Sequence, residues 1–139
     1  MSANCEAVLM LDELLPTLNE LTRMHFGKII RLKRKWQRKI KAELLLNHYY
    51  GREPLQKANL VITRHSKKCP DYDNMVGGAK HLIDIFTTPV LYKNGSVKNK
   101  YGLGVVVDDS PKYLTVKYDW QHEKYNSFTI IRVENILKD

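Results

Sequence analysis

The sequence has little cysteine, glycine or proline, and each shortage excludes a class of protein. Cys5 and Cys69 are the two cysteines and form no CxxC pair, so we expect reduced thiols in a cytoplasm and no disulfide framework. Seven glycines and five prolines, in a chain that is 43% hydrophobic, do not indicate disorder. No apolar run approaches the roughly 20 residues of a membrane span. The short run Ala7–Leu11 lies between Glu6 and Asp12 and is not typical of a signal peptide.

The common motifs of catalysis and cofactor binding are also missing. There is no nucleophile elbow, no GxxxxGK[ST] phosphate loop and no GxGxxG dinucleotide motif. The five histidines have no metal-ligand spacing, so we do not predict a zinc site. With 139 residues, the chain is long enough for one domain, which we place at 1–139. We predict no small-molecule cofactor and no membrane partner.

One segment, 28–41, has no acidic residue and carries the whole net charge of +8. The other 15 basic and 15 acidic residues cancel, so the charge is a local footprint of the kind that binds polyanions. A solvated helix face, or a surface for an acidic partner protein, would give the same pattern. The predicted DNA-binding residues are Lys28, Arg31, Lys33, Arg34, Lys35, Arg38, Lys39 and Lys41.

Hydrophobic periodicity predicts an α+β fold. Ile29, Leu32, Trp36, Ile40 and Leu44 recur at helical spacing and place a long helix over 28–48. The further expected elements are strands at 6–13, 60–63, 104–107, 113–120 and 127–133, a helix at 74–86, and a loop or small basic hairpin at 88–103. The order predicts a single small domain with a mixed sheet of about five strands and two helices packed on it.

The predicted second helix contains Gly77-Gly78, which costs it about 1 kcal/mol per glycine relative to alanine. We expect either a tight helix–strand contact or a close backbone approach to phosphate at this point.

Two short acidic clusters stand out in this basic chain, Asp71-Tyr72-Asp73-Asn74 and Asp108-Asp109. Carboxylate oxygens are preferred ligands of Mg²⁺ and Mn²⁺, and such ions sit well against phosphate. If strand 104–107 lies beside strand 60–65, the clusters meet at one end of the sheet, and the four aspartates would hold metal. The competing interpretation is structural: the first cluster caps a helix and the second is a polar turn.

At these residues the chain resembles the RusA family of Holliday-junction resolvases, many of them phage-encoded. The matching pieces are Asp71-x-Asp73-Asn74, a helix with Lys80 and Asp84, Val107-Asp108-Asp109-Ser110-Pro111, and Leu14-Leu15-Pro16-Thr17-Leu18-Asn19. The resemblance covers most of the chain. It implies catalytic roles for Asp71, Asp73, Asp109 and Lys80, with Asp108 supporting a divalent metal. Gly77-Gly78 stand where the family's lysine often falls, and Lys80 keeps its spacing from Asp84.

The sequence therefore predicts a Mg²⁺-dependent endonuclease, with Mn²⁺ as the substitute ion, that resolves four-way DNA junctions in DNA recombination and repair. Because a junction needs two symmetric cuts, we expect a homodimer. The alternatives are a nuclease that prefers flaps or forks, and a non-catalytic nucleic-acid-binding module.

Overall fold

A four-stranded mixed sheet forms one layer of the computed structural model, which describes residues 3–136. Its strands are β1 (Ala3–Leu11), β2 (Ala58–Ser66), β5 (Leu114–His122) and β6 (Phe128–Ile136), in the order β1-β6-β2-β5. β5 runs parallel to β2, and the other two pairings are antiparallel. The last strand is therefore central, between the first strand and β2. A separate hairpin contains β3 (Val90–Leu91) and β4 (Val97–Lys98).

The helices pack on one face of this sheet. They are α1 (Leu18–Thr22), α2 (Phe26–Leu46), α3 (Tyr72–Gly78) and α4 (Lys80–Phe86). Alternate residues of β2, Ala58, Leu60 and Ile62, are buried beneath them, as the period of two in a half-covered strand requires. From α2, Trp36 and Ile40 reach the same core and are fully buried. The α+β prediction is confirmed, and so is the hairpin around Asn94-Gly95.

The predicted strand at 104–107 is wrong. Gly104 has a φ of +69°, which turns the chain, and only Val106 forms an isolated bridge, to Leu55. The backbone N–H groups of Val105 and Val106 both donate to the Phe86 carbonyl, at 2.9 and 3.0 Å. This segment therefore satisfies free carbonyls at the end of α4 instead of extending the sheet. The sheet has four strands, not about five.

The predicted helix at 74–86 is divided in two at Ala79. The Ala79 N–H bonds to the Val76 carbonyl, a tighter i→i−3 contact, before α4 resumes the helix. Gly77-Gly78 lie just before this break, and the reason for them is close packing. A Cβ on Gly78 would lie 1.8 Å from the Pro16 carbonyl oxygen, and one on Gly77 would lie 2.9 Å from the Leu18 side chain.

We expect Gly78→Ala to lower the free energy of unfolding by about 2–3 kcal/mol, because the backbone of Pro16 cannot move away without disturbing the turn before α1. Gly77→Ala is the matched control. Its obstacle is the Leu18 side chain, whose Cβ and two methyl carbons lie 2.9 Å from the added carbon, so α1 must shift slightly and the cost should be smaller, about 1 kcal/mol. Urea denaturation of both variants measures the difference. Equal losses would contradict the close approach at Gly78.

Candidate nucleic-acid interface and acidic cleft

Three of the eight predicted DNA-binding cations in α2 are used inside the protein. Lys35 and Lys39 pair with Glu13 at 2.9 and 2.6 Å, and Lys39 also reaches Asp12 at 2.6 Å. Lys33 lies 3.6 Å from Asp84. These lysines attach α2 to the end of β1 and to α4. Their assignment to DNA binding stays a prediction, but acids distant in sequence already pair with them.

The other five cations form an exposed basic face. Within residues 3–136 no carboxylate pairs with any of them. They point to solvent because the apolar stripe of the same helix points to the sheet. The five are Lys28, Arg31, Arg34, Arg38 and Lys41.

A shallow groove runs beside this basic face. It is lined by Arg31, Arg34, Gln37, Arg38 and Tyr101. The Gln37 side-chain amide donates to the Tyr101 carbonyl at 3.3 Å, which holds the 99–103 segment against α2. Arg34 lowers the pKa of the Tyr101 phenol, chiefly as a hydrogen-bond donor that favours the phenolate, and the positive charges of Lys100 and Arg34 act in the same direction. Three arginines and one aromatic ring suit phosphate contacts with adjacent base or sugar stacking.

The two acidic clusters do not meet. Asp71 follows the C-terminal end of β2 and takes the N-cap position of α3, and both Asp71 and Asp73 are exposed. Asp108 and Asp109 precede the N-terminal end of β5, which is parallel to β2. The clusters therefore lie toward opposite ends of a parallel pair of nine-residue strands, each of which spans roughly 26 Å at 3.3 Å per residue step.

The expected metal site of Asp71, Asp73, Asp108 and Asp109 is consequently not formed within one chain. In the described part of the chain, no three acidic, histidine or cysteine side chains come together in an arrangement that could hold a metal ion. The physical reason is the misplaced strand: residues 104–107 do not extend the sheet beside β2, so they cannot carry Asp108 to the end where Asp71 lies.

Asp108 and Asp109 instead line an open cleft of about 230 Å³ between α2, α4 and the hairpin. Sequence reasoning missed most of this cleft, since it is assembled from separate segments. The charges facing it are mixed, which distinguishes it from a purely acidic site. Its other lining residues are Lys33, Asp84, Thr87, Thr88, Val90, Lys98 and Asn99.

The base of the cleft is held by hydrogen bonds. Asn99, with an unusual φ of +57°, donates to the Asp84 carbonyl at 2.8 Å and to the Thr87 hydroxyl. Thr88 donates to the Val106 carbonyl at 2.8 Å. The sequence signals for the cleft were Asp108-Asp109 and Asp84, which lies one helical turn after Lys80.

Lys80, predicted to be catalytic, is exposed at the start of α4 and does not line the cleft. His81, the next residue, is close enough to Lys33 and Asp84 of the cleft for their charges to act on its imidazole. Burial and then the Lys33 charge lower its pKa, so its imidazole is neutral at pH 7.

The hairpin at the mouth of the cleft is unusually apolar for an exposed element. Val90, Leu91, Tyr92 and Val97 are between 46% and 73% exposed. Lys93, Lys98 and Lys100 lie among them in the sequence and are also exposed. Apolar side chains of this kind, flanked by cations, are found where proteins wedge between bases.

Comparisons with protein-family models, with characterised proteins and with solved structures find no match to this chain. The function of the chain is therefore inferred from its site and from the motifs quoted above. Across residues 3–136, no helix combines the length and the apolar character that crossing a bilayer requires.

Glu13 gives a pH-dependent test of how α2 is held. Burial acts to raise its pKa, but hydrogen bonds from Lys39, Lys35 and Trp36 outweigh that effect and hold the pKa below its ordinary 4.5. The contribution to stability is present above pH 4.5 and is lost as the pH falls through the lowered value. Glu13→Gln should cost about 1–3 kcal/mol at pH 7.

Urea midpoints of the wild type and Glu13→Gln, compared from pH 7 down to pH 3, measure this effect. We expect the two proteins to converge as the pH falls below 4.5. Exposed Glu53→Gln is the control and should show a constant, small difference. A wild-type advantage over Glu13→Gln that persists unchanged at pH 3 would contradict the ion-pair role.

Proposed function

We propose that this protein binds branched DNA in a sequence-independent way and cuts it as a divalent-metal-dependent endonuclease of the junction-resolving type. The observation that carries the proposal is the exposed basic face of α2 beside the acidic cleft. Lys33 and Asp84 link the two features through an ion pair at 3.6 Å. The free, exposed Cys5 and Cys69 suit action in a reducing cytoplasm.

Binding follows from the spacing of the unpaired cations. Lys28 and Lys41 are 13 positions apart in α2, a span of about 20 Å at 1.5 Å per residue. A row of cations of this length contacts several phosphates of one strand and releases their counterions. Such contacts position the protein on DNA but carry no sequence information. Selection of a substrate must then come from DNA shape.

The hairpin is the element best suited to recognise a branch. Leu91 and Tyr92 are exposed beside lysines, so they can stack on bases that are unpaired at a junction but enclosed in a continuous duplex. The 88–103 segment that contains the hairpin is longer than the RusA resemblance leads us to expect between the two acidic clusters. It supports a preference for branched over linear DNA, with junctions, flaps and forks as the competing substrates.

The carboxylates have the donor chemistry that Mg²⁺ or Mn²⁺ requires. Asp71 and Asp73 would hold the metal from one segment, and Asp108 and Asp109 would hold it from the other. The ion would act as a Lewis acid that activates water for attack on a phosphodiester. Lys80, exposed and following the first segment, stays the candidate for stabilising the charge that develops on the phosphate.

A homodimer belongs to this proposal for two reasons. A four-way junction is nearly two-fold symmetric, so paired cuts need two symmetric sites. In addition, one chain holds its acidic segments at opposite ends of the sheet. A centre that uses both segments therefore needs residues from two chains.

The second candidate function is a non-catalytic nucleic-acid-binding module. It is favoured by the position of Asp71 as the first residue before α3 and by the absence, within the described residues, of a three-ligand cluster. In that case the aspartates only begin a helix and form a turn, while the basic face keeps its role.

The binding part of the proposal predicts a defined loss of salt dependence. Replacing Arg31, Arg34 and Arg38 by glutamine should reduce the slope of log K against log[salt] by up to about 3, because each lost phosphate contact removes about 0.9. The matched control replaces three exposed cations elsewhere, Arg52, Lys112 and Lys124, by glutamine. Fluorescence anisotropy with a fixed four-way junction between 50 and 300 mM salt gives both slopes.

The arginine variant should lose most of its affinity and the control little. If the two triple variants show the same slope, the basic face of α2 is not the DNA-binding surface.

The catalytic part predicts that Asp73→Asn and Asp109→Asn each abolish Mg²⁺-dependent cleavage of a junction while binding survives. Linear duplex and flap substrates in the same assay show which DNA shape is cut. Equal numbers of the two inactive chains, mixed and allowed to exchange, should recover nicking, since a mixed dimer has one site with both segments intact.

If each site were built within one chain, the mixture would stay inactive, because every chain carries one damaged segment. Cleavage by both single variants at saturating Mg²⁺ would refute the nuclease and leave the binding module.

A further inference from the structure

The two edges of the sheet are treated differently by the rest of the chain. At the β1 edge, α2 covers the backbone: the Asn47 side chain bonds both the N–H and the carbonyl of Val8, and Glu43 accepts from the Met10 N–H at 2.7 Å. At the β5 edge, β2 is the only strand within residues 3–136 that pairs with β5. An uncovered nine-residue edge is a template for pairing with another strand.

The outward backbone groups of β5 can be assigned from its two ends. The Tyr113 carbonyl accepts from Ala58 at 2.8 Å, and the Glu123 N–H donates to Ser66 at 3.1 Å, so odd-numbered residues face β2. Even-numbered residues, from Leu114 to His122, therefore direct their N–H and carbonyl groups away from β2, and of these groups the Leu114 N–H already donates to the Ser110 carbonyl at 3.0 Å. Tyr118 is the middle of this set and of the strand.

The charges on β5 distinguish among its possible self-pairings. In a two-fold antiparallel arrangement, the pairing is defined by the residue at the axis. An axis at Lys117 or Asp119 sets two like charges against each other. An axis at Tyr118 overlaps all nine residues and sets each Lys117 opposite an Asp119 of the other copy.

We propose that two copies of this chain associate through their β5 edges, antiparallel and centred on Tyr118. The pairing forms a continuous eight-stranded sheet with about eight new backbone hydrogen bonds, two for each outward residue pair except the two pairs that contain Leu114, whose N–H is already bonded to Ser110. In the monomer, Asp119 accepts from the neighbouring Trp120 N–H at 2.9 Å. On pairing, that N–H bonds to the partner's backbone carbonyl, and Asp119 is released to meet Lys117 of the partner subunit.

This register has a consequence that rests on the proposed function. Antiparallel pairing sets the C-terminal end of one β5 beside the N-terminal end of the other. Asp71 and Asp73, beyond the C-terminal end of β2, then lie at the same end of the combined sheet as Asp108 and Asp109 of the partner subunit. The proposed interface depends only on the geometry and the charges of β5, and the experiment that tests it contains no DNA.

The test is a charge exchange measured by sedimentation equilibrium. Lys117→Glu alone and Asp119→Lys alone each set like charges opposite one another at two symmetric positions, and each should weaken the homodimer at least tenfold. Mixed together, the two variants should form a one-to-one heterodimer, because every Glu or Asp at the interface then faces a Lys. The double variant Lys117→Glu with Asp119→Lys should dimerise like the wild type.

Arg52→Glu, an exposed charge reversal away from β5, is the control and should leave the dimer intact. Far-UV circular dichroism confirms that each variant is folded, and any variant that is not is replaced by the neutral Lys117→Gln or Asp119→Asn. Each of three results would overturn the interface. These are a wild type that is monomeric at 100 μM, a dimer that survives both single charge reversals, and a mixture of the two single variants that stays monomeric. A wild-type protein that dimerises but does not cut DNA would refute only the proposed nuclease activity.

Discussion

The Glu13 carboxylate fixes the orientation of the long helix, and the surface of the protein depends on that orientation. It accepts hydrogen bonds from Trp36, Lys35 and Lys39, three residues within little more than one turn of α2. Trp36 is thereby held in the core, and the same rotation leaves the arginines on the outer side of the helix. A single partly buried acid thus determines which cations face solvent and which are neutralised. The basic face is a consequence of how the core is packed.

Periodicity was sufficient to predict the elements that bury a regular face. The stripe from Ile29 to Leu44 predicts α2, and alternation predicts the long strands, because these patterns reflect burial against one neighbouring layer. Residues 104–107 have the composition of a strand but are used to complete the hydrogen bonds at the end of α4. The composition of this segment indicates that Val105 and Val106 are buried, but it does not indicate which backbone groups they bond to.

The candidate site was less predictable for a related reason. Which lysines of α2 are free depends on Asp12, Glu13 and Asp84, whose positions come from tertiary contacts. Likewise, each acidic cluster is visible in the sequence, but the distance between the clusters depends on β5 being parallel to β2. A parallel pair places the residues after one strand and those before the other at opposite ends of the sheet. An antiparallel pair would have brought them together.

The central position of β6 has a consequence for how the chain folds. β6 is the last strand, yet it lies between β1 and β2 and pairs with both, including Ala3 with Ile136. The sheet therefore cannot close until the final strand has left the ribosome, and the emerging chain must keep β1 and β2 apart from other strands until then. Contacts between residues so distant in sequence make folding slow, since loop closure precedes any gain from pairing. Because Ala3 pairs with Ile136, a circular permutant that joins residues 3 and 136 by a short linker and is opened at the hairpin should keep the fold, place β6 early in the chain and shorten this delay.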